Sequence, residues 1–96
     1  MKVWIKLNKM GTGRVQLECL RSTNESGRIG RGCALPPFNP NAMAEIFAIL
    51  KNLGVDEELA AEKIAIIRDA APGDVVKVED REVPDDVLSE NGFEGF

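Results

Sequence analysis

The sequence contains no histidine, so it lacks the side chain best suited to proton transfer near neutral pH. It has only two cysteines, Cys19 and Cys33, and they do not form the closely spaced pair that binds zinc in many small domains. We therefore expect neither a bound metal nor a cofactor. Because no set of residues with a specific chemistry stands out, the sequence favours a non-catalytic protein over an enzyme.

Long hydrophobic stretches are also absent, and no apolar run approaches the roughly 20 residues of a transmembrane helix. The first nine residues, MKVWIKLNK, carry three lysines and lack the apolar core of a signal peptide. We expect a cytoplasmic protein without membrane association. Its cysteines are then expected to remain free thiols in a reducing compartment.

Charge is distributed unevenly along the chain. Residues 1–39 carry seven basic and two acidic side chains, a net charge of +5, whereas residues 40–96 carry five basic and fourteen acidic ones, a net charge of −9. Such asymmetry affects the choice of partner and the rate of association. The predicted partner is a protein, which includes a second copy of this chain. The overall net charge of −4 argues against nucleic acid.

Two segments near the start alternate between apolar and polar residues, which is typical of half-buried strands. In residues 2–8 the apolar set is Val3, Ile5 and Leu7, and residues 14–21 repeat the pattern. The glycines of the intervening segment 10–13 permit a tight turn. We expect an antiparallel hairpin in which Leu7 pairs with Val15.

The rest of the chain reads as helices around one further strand. Helical spacing of apolar residues predicts helices over 40–53 and 56–71, and valines predict a strand over 75–78. A turn at 80–81 with a brief return at 82–83 is expected next, and then a short helix that begins at Pro84, after which residues 93–96 fray. The sequence thus predicts a single α+β domain over residues 1–96. A small, mostly antiparallel three-stranded sheet carries two helices on one face, in the order β-β-α-α-β-α.

Residues 22–38 form a long polar and glycine-rich segment, which favours a loop. Within it, residues 27–33 combine glycines with Arg28 and Arg31, which could hold the oxygens of a phosphate or carboxylate. A mobile loop, or arginines paired with the acidic half of the chain, explains the same residues without a ligand. Cys33 is the last residue of segment 27–33. A buried, unreactive side chain is a better explanation for this cysteine than a catalytic nucleophile.

A second candidate site lies on the polar side of the predicted hairpin. There Trp4 is accompanied by Lys2, Lys6 and Arg14, which together resemble an aromatic anchor within a basic face. The alternative is that Trp4 is covered, either by the 22–38 loop or by Phe93 and Phe96. We therefore expect a small interaction protein, an adaptor, inhibitor or regulator, that self-associates or binds another protein. A module that binds an anionic small molecule through residues 27–33 is the alternative.

Overall fold

The computed structural model describes residues 1–21 and 43–93. They form six elements, which are β1 (Lys2–Lys9), β2 (Val15–Arg21), α1 (Met43–Asn52), α2 (Glu57–Arg68), β3 (Val75–Glu82) and α3 (Asp85–Glu90). The α+β class and the order β-β-α-α-β-α are as predicted from the sequence. The predicted 22–38 loop and the start of the first helix at residue 40 lie outside the described residues.

The three strands form an antiparallel sheet in the order β2-β1-β3. The predicted pairing of Leu7 with Val15 is wrong, because Leu7 pairs with Leu17 and Val15 pairs with Lys9. The turn explains the difference: the Met10 amide bonds to the Arg14 carbonyl at 2.7 Å, and Gly13 has a φ of +86°. The hairpin is therefore centred on Thr12, one residue later than the predicted pairing requires. A shift of two residues leaves the side chains of β1 and β2 on their predicted faces.

One face of the sheet is packed into the core, as the alternation predicts. The buried set on β1 and β2 consists of Val3, Ile5, Leu7, Val15, Leu17 and Cys19, all of them fully inaccessible to solvent. Helical residues Ile46, Leu50, Ala60 and Ile67 complete this core. The hairpin is therefore held to the helices by its odd-numbered residues, and its even-numbered residues lie on the opposite side.

Strand β3 differs from its prediction. It runs without a turn from Val75 to Glu82, whereas the sequence predicted a turn at 80–81. The register shifts between Ile5 and Lys6, so that Val78 and Glu79 both lie opposite Ile5. A bulge of this kind inserts one residue and lets a strand with irregular alternation continue along its neighbour. The charged residues 79–82 thus remain paired with β1.

Helix α2 begins and ends at recognisable signals. The Asp56 carboxylate accepts bonds from the amides of Glu58 and Leu59 at the start of α2. The helix ends at Arg68, where Lys9 Nζ donates to the Arg68 carbonyl at 2.8 Å. This contact ties β1 to the negative end of the helix dipole. In α1 the fully buried residues are Ile46 and Leu50, whereas Phe47 is half-buried and packs against the edge of the core.

Helix α3 closes the core at the end of the sheet. Leu88 is buried, and so is Phe93, whose amide donates to the Leu88 carbonyl at 2.9 Å. The prediction that the chain frays from Phe93 onward is therefore wrong for Phe93 itself, because its ring fills the core. No helix within 1–21 and 43–93 is both long and apolar enough to cross a membrane.

Candidate interaction surface

The face of the sheet opposite the core, here called the outer face, is formed by residues of all three strands. Residues directly opposite each other in antiparallel strands share a face. The register therefore assigns to the outer face Lys2, Trp4, Lys6 and Asn8 of β1, Gln16, Glu18 and Leu20 of β2, and Val75, Lys77, Asp80 and Glu82 of β3. The three helices contribute to the core on the other side, so this face carries the main cluster of polar and aromatic side chains on the sheet.

Trp4 occupies the middle of the outer face. It lies on the central strand, with Leu20 of β2 opposite it on one side and Asp80 of β3 on the other. The residue is half-buried and its Nε1 atom is shielded from solvent. Any part of the indole that reaches solvent is therefore carbon, which makes Trp4 an apolar feature within polar surroundings.

Lys6 is held beside Trp4 by two interactions. Its Nζ atom lies 5.0 Å from the centroid of the Trp4 ring, within the range of a cation–π contact, and 3.0 Å from Glu18 Oε1. The side chains of Lys6 and Glu18 are only 17% and 21% exposed. A pair this well shielded keeps more of its attraction than a fully exposed one. The face around Trp4 is thus built from paired charges.

A second ion pair borders Trp4 on the β3 side. Lys77 Nζ lies 2.6 Å from Asp80 Oδ2, although three residues separate the two along a strand. In a regular strand residues three apart point to opposite faces, and the bulge at residues 78 and 79 brings these two to the same face. This pair was not predicted from the sequence, because the turn expected at 80–81 would have ended the strand that carries Lys77 before it reached Asp80. The sequence does contain a signal for the bulge. The alternation of apolar and polar residues in this strand breaks at Val78 and Glu79 and resumes one residue later.

The structure brings together only some of the residues predicted to form a basic face. Lys2 and Lys6 share the outer face with Trp4, but Arg14 lies exposed in the turn just before the first residue of β2. Because Glu18 and Asp80 lie on either side of the strand that carries Trp4, the face has mixed charge. Arg28, Arg31 and Cys33, with the anion site predicted for residues 27–33, lie outside the described residues.

Of the residues that could cover Trp4 according to the sequence, the structure describes only Phe93. Phe93 packs in the core on the opposite face of the sheet, so the expectation that it covers Trp4 is wrong. Phe96 and the 22–38 loop lie outside the described residues.

The described residues offer little reactive chemistry. Burial raises the pKa of the Cys19 thiol to about 12, with a smaller contribution from the negative charge of Glu18. This thiol therefore stays protonated at neutral pH and is a poor nucleophile. Within residues 1–21 and 43–93 there is no cluster of three or more histidine, cysteine or carboxylate side chains that could hold a metal ion.

A shallow groove lies between α1 and α3. It is lined by Asn52, Val87, Glu90 and Asn91. Asn52 Nδ2 donates to Asn91 Oδ1 at 3.1 Å, and Asn91 Nδ2 donates to the Val87 carbonyl at 2.8 Å. These amides already serve to fasten the end of α1 to α3, so the groove has no convergent set of polar groups directed at a ligand.

Comparison with known proteins adds no relative. The chain matches no protein-family model, no curated protein and no solved structure. Among the described residues, the outer face with Trp4 at its centre is the main candidate for a functional surface.

Proposed function

We propose that this chain is a small, non-catalytic interaction protein, an adaptor, inhibitor or regulator, that binds another protein through its outer face. The observation that supports the proposal best is the position of Trp4. It lies on the central strand, half-buried, between the Lys6–Glu18 and Lys77–Asp80 ion pairs. A central aromatic residue within a polar rim is the arrangement that supplies most of the binding energy in protein interfaces.

The physical reason is that binding removes water from the apolar surface of the indole. An indole gains free energy when its carbon surface is covered, and a polar rim excludes water around it. Lys6 and Glu18 already satisfy each other across 3.0 Å, so covering them leaves no unpaired buried charge. Covering the Lys6–Glu18 pair therefore costs less free energy than covering either charge without its partner.

The mixed charge of the face bears on the class of partner. A polyanion such as nucleic acid requires several cations that are free to neutralise phosphates. Here Lys6 and Lys77 are each held by a carboxylate, Glu18 and Asp80 respectively. A protein surface that carries a few charges of both signs and an apolar pocket for the indole fits this face better than a nucleic acid does.

A cytoplasmic location forms part of the proposal. It is supported by the buried free thiol of Cys19, because reduced cysteines are the rule in that compartment. The alternative of anion binding through Arg28 and Arg31 stays a prediction from the sequence, since those residues lie outside the described part of the chain.

Comparative affinity capture from the native host tests the proposal. Tagged wild-type protein, Trp4→Ala and Ile66→Ala are used as baits, and the captured proteins are quantified by mass spectrometry. Ile66 is the matched control because it is a large hydrophobic residue that is 47% exposed on α2, away from the outer face. Trp4→Ala should lose at least one protein that wild type and Ile66→Ala both retain, and the purified protein should bind wild type at least tenfold more tightly, on the order of a hot-spot substitution.

The comparison requires that the baits are folded, which thermal unfolding of each variant establishes. A Trp4→Phe variant keeps an aromatic ring, and we expect it to retain part of the binding. If folded Trp4→Ala captures the same proteins in the same amounts as wild type, the outer face is not the binding surface and the proposal is wrong.

A further inference from the structure

Among the residues that the structure describes, strand β3 forms an edge of the sheet, since the strand order ends with it. Among its residues Val75, Lys77 and Glu82 are exposed, and Val75 is 52% exposed. Together with Ile66 it is one of two large hydrophobic residues exposed in the described part of the chain. An edge of this kind presents backbone groups that a further strand can pair with.

The hydrogen bonds to β1 show which backbone groups face outward. At one end the Lys9 amide bonds to the Asp74 carbonyl, and at the other the Val83 amide bonds to the Met1 carbonyl. In an antiparallel ladder such bonded positions alternate with positions that face away. In the register between β1 and β3, the outward amides and carbonyls belong to Val75, Lys77, Asp80 and Glu82.

These four residues also share the outer face, because the bulge at 78 and 79 shifts the alternation by one residue. Consider a second β3 strand placed antiparallel alongside the first, related by a two-fold axis. Only the register that sets bulge against bulge keeps like faces together over the full strand. Val75 then lies opposite Glu82 of the second copy, and Lys77 lies opposite Asp80 of the second copy.

We infer that β3 pairs with β3 of a second copy of this chain in this register, which makes a six-stranded antiparallel sheet. The partner is identified by charge complementarity. Each two-fold pairing creates two contacts between Lys77 and Asp80, one on each side of the axis. Cross-strand pairs of opposite charge stabilise a sheet, whereas like charges directly opposite destabilise it.

The core-side residues of β3 are compatible with this arrangement. Glu79 of each copy lies near the two-fold axis, where two carboxylates would repel. Arg81 Nη1 of the same chain lies 3.4 Å from Glu79 Oε2, so each of these charges is neutralised before pairing. Charges and a bulge normally protect an edge from other strands. Here the same features favour an identical strand, because it matches both the bulge and the charges.

This inference uses the edge of the sheet and does not involve Trp4 itself, although Lys77 and Asp80 also border the Trp4 surface. Sedimentation equilibrium over a wide range of concentrations tests it. Wild type should form a dimer, and Lys77→Glu and Asp80→Lys should each weaken it at least tenfold, since each sets like charges opposite each other. An equimolar mixture of the two variants should restore dimerisation, because every contact in the mixed dimer again joins opposite charges.

Lys51→Glu is the matched control for Lys77→Glu, since it makes the same change in net charge on the exposed surface of α1. It should dimerise like wild type. Amide hydrogen exchange provides a second readout. In the dimer the amides of Val75, Lys77, Asp80 and Glu82 should exchange at least tenfold more slowly than in the Lys77→Glu monomer.

Three results would overturn the inference. Wild type could be monomeric at every concentration. The mixture of the two variants could fail to dimerise. Finally, dimerisation could be abolished by Trp4→Ala and unaffected by Lys77→Glu, which would assign the contact to the outer face instead.

Discussion

At the scale of single residues, Cys19 shows how burial sets chemistry. Its thiol lies on the core side of β2, next to Ile5 of β1, and is inaccessible to solvent. The alternation of residues 14–21 predicted that side of the strand, so its burial could be predicted from the sequence. Its raised pKa depends on how closely the helices pack over it, which the sequence pattern does not specify.

The raised pKa predicts a loss of stability at high pH. Below pH 9 the thiol is protonated in both the folded and the unfolded chain. Between its ordinary pKa of 9.0 and its folded pKa of about 12 the unfolded chain releases the proton and the folded chain retains it. The free energy of unfolding therefore falls as pH rises through this window, by up to about 4 kcal/mol.

Urea unfolding at several pH values checks this, with Cys33→Ser as the background and Cys19→Ala as the matched variant. The variant should start less stable and lose less stability between pH 9 and pH 11 than its parent. Equal losses in both proteins would show that Cys19 does not contribute to the pH dependence.

Gly54 and Gly73 provide a second comparison at the residue scale. Both have positive φ, +96° and +94° respectively. A Cβ atom on Gly54 would lie 2.7 Å from Arg81 Nε, whereas one on Gly73 would meet nothing within 4 Å. Each alanine substitution should cost about 1–2 kcal/mol for the left-handed backbone. Gly54→Ala should cost more, because it also displaces Arg81 from Glu79.

Thermal or urea unfolding of the two variants measures the difference directly. A Gly54→Ala, Arg81→Ala double variant should remove the excess, since the displaced guanidinium is then gone. If Gly73→Ala is as destabilising as Gly54→Ala, the close approach of Arg81 has no energetic weight.

At the scale of elements, local patterns and tertiary pairing contributed differently. The alternation of residues 2–8 and the helical spacing after residue 43 predicted the faces and types of the hairpin and of α1 and α2. The register of the hairpin depended on the geometry of one turn, which glycine positions alone do not determine. The continuation of β3 depended on pairing with β1, so a charged segment that resembles a turn became a strand.

Helix α1 gives a prediction at this scale. Leu50 is fully buried, whereas Phe47 is half-buried with Lys51 Nζ 5.6 Å from its ring centroid. Leu50→Ala should cost about 2–5 kcal/mol, and Phe47→Ala should cost less than the 3–5 kcal/mol typical of a fully buried phenylalanine. Urea unfolding of both variants tests the assignment. A larger loss for Phe47→Ala than for Leu50→Ala would mean that the helix face is assigned wrongly.

At the scale of the whole molecule, the uneven charge seen in the sequence has a structural counterpart. Residues 1–21 of the hairpin carry five basic side chains and one acidic one, whereas residues 43–93 carry five basic and thirteen acidic ones. Strand β3 inserts the acidic part of the chain beside β1. This arrangement explains why the outer face has mixed charge although the hairpin is basic, since Asp80 and Glu82 arrive from a distant part of the sequence.

The candidate surface was therefore only partly predictable. Trp4, Lys2 and Lys6 share a face because alternation within one strand requires it. The presence of Lys77 and Asp80 on that face follows from a long-range pairing and a bulge. The interrupted alternation in residues 75–82 indicates a bulge, but it does not specify which strand lies opposite.

Photo-crosslinking in the native host tests the central claim, that the outer face binds another protein, most directly. A photoreactive benzoylphenylalanine replaces Leu20, which lies opposite Trp4 on the outer face, and in a separate strain it replaces Ile66 on α2. Irradiation should join the Leu20 variant to a protein other than this chain, and adding Trp4→Ala should remove that product. Crosslinks to the same protein from Ile66 and none from Leu20 would contradict the claim.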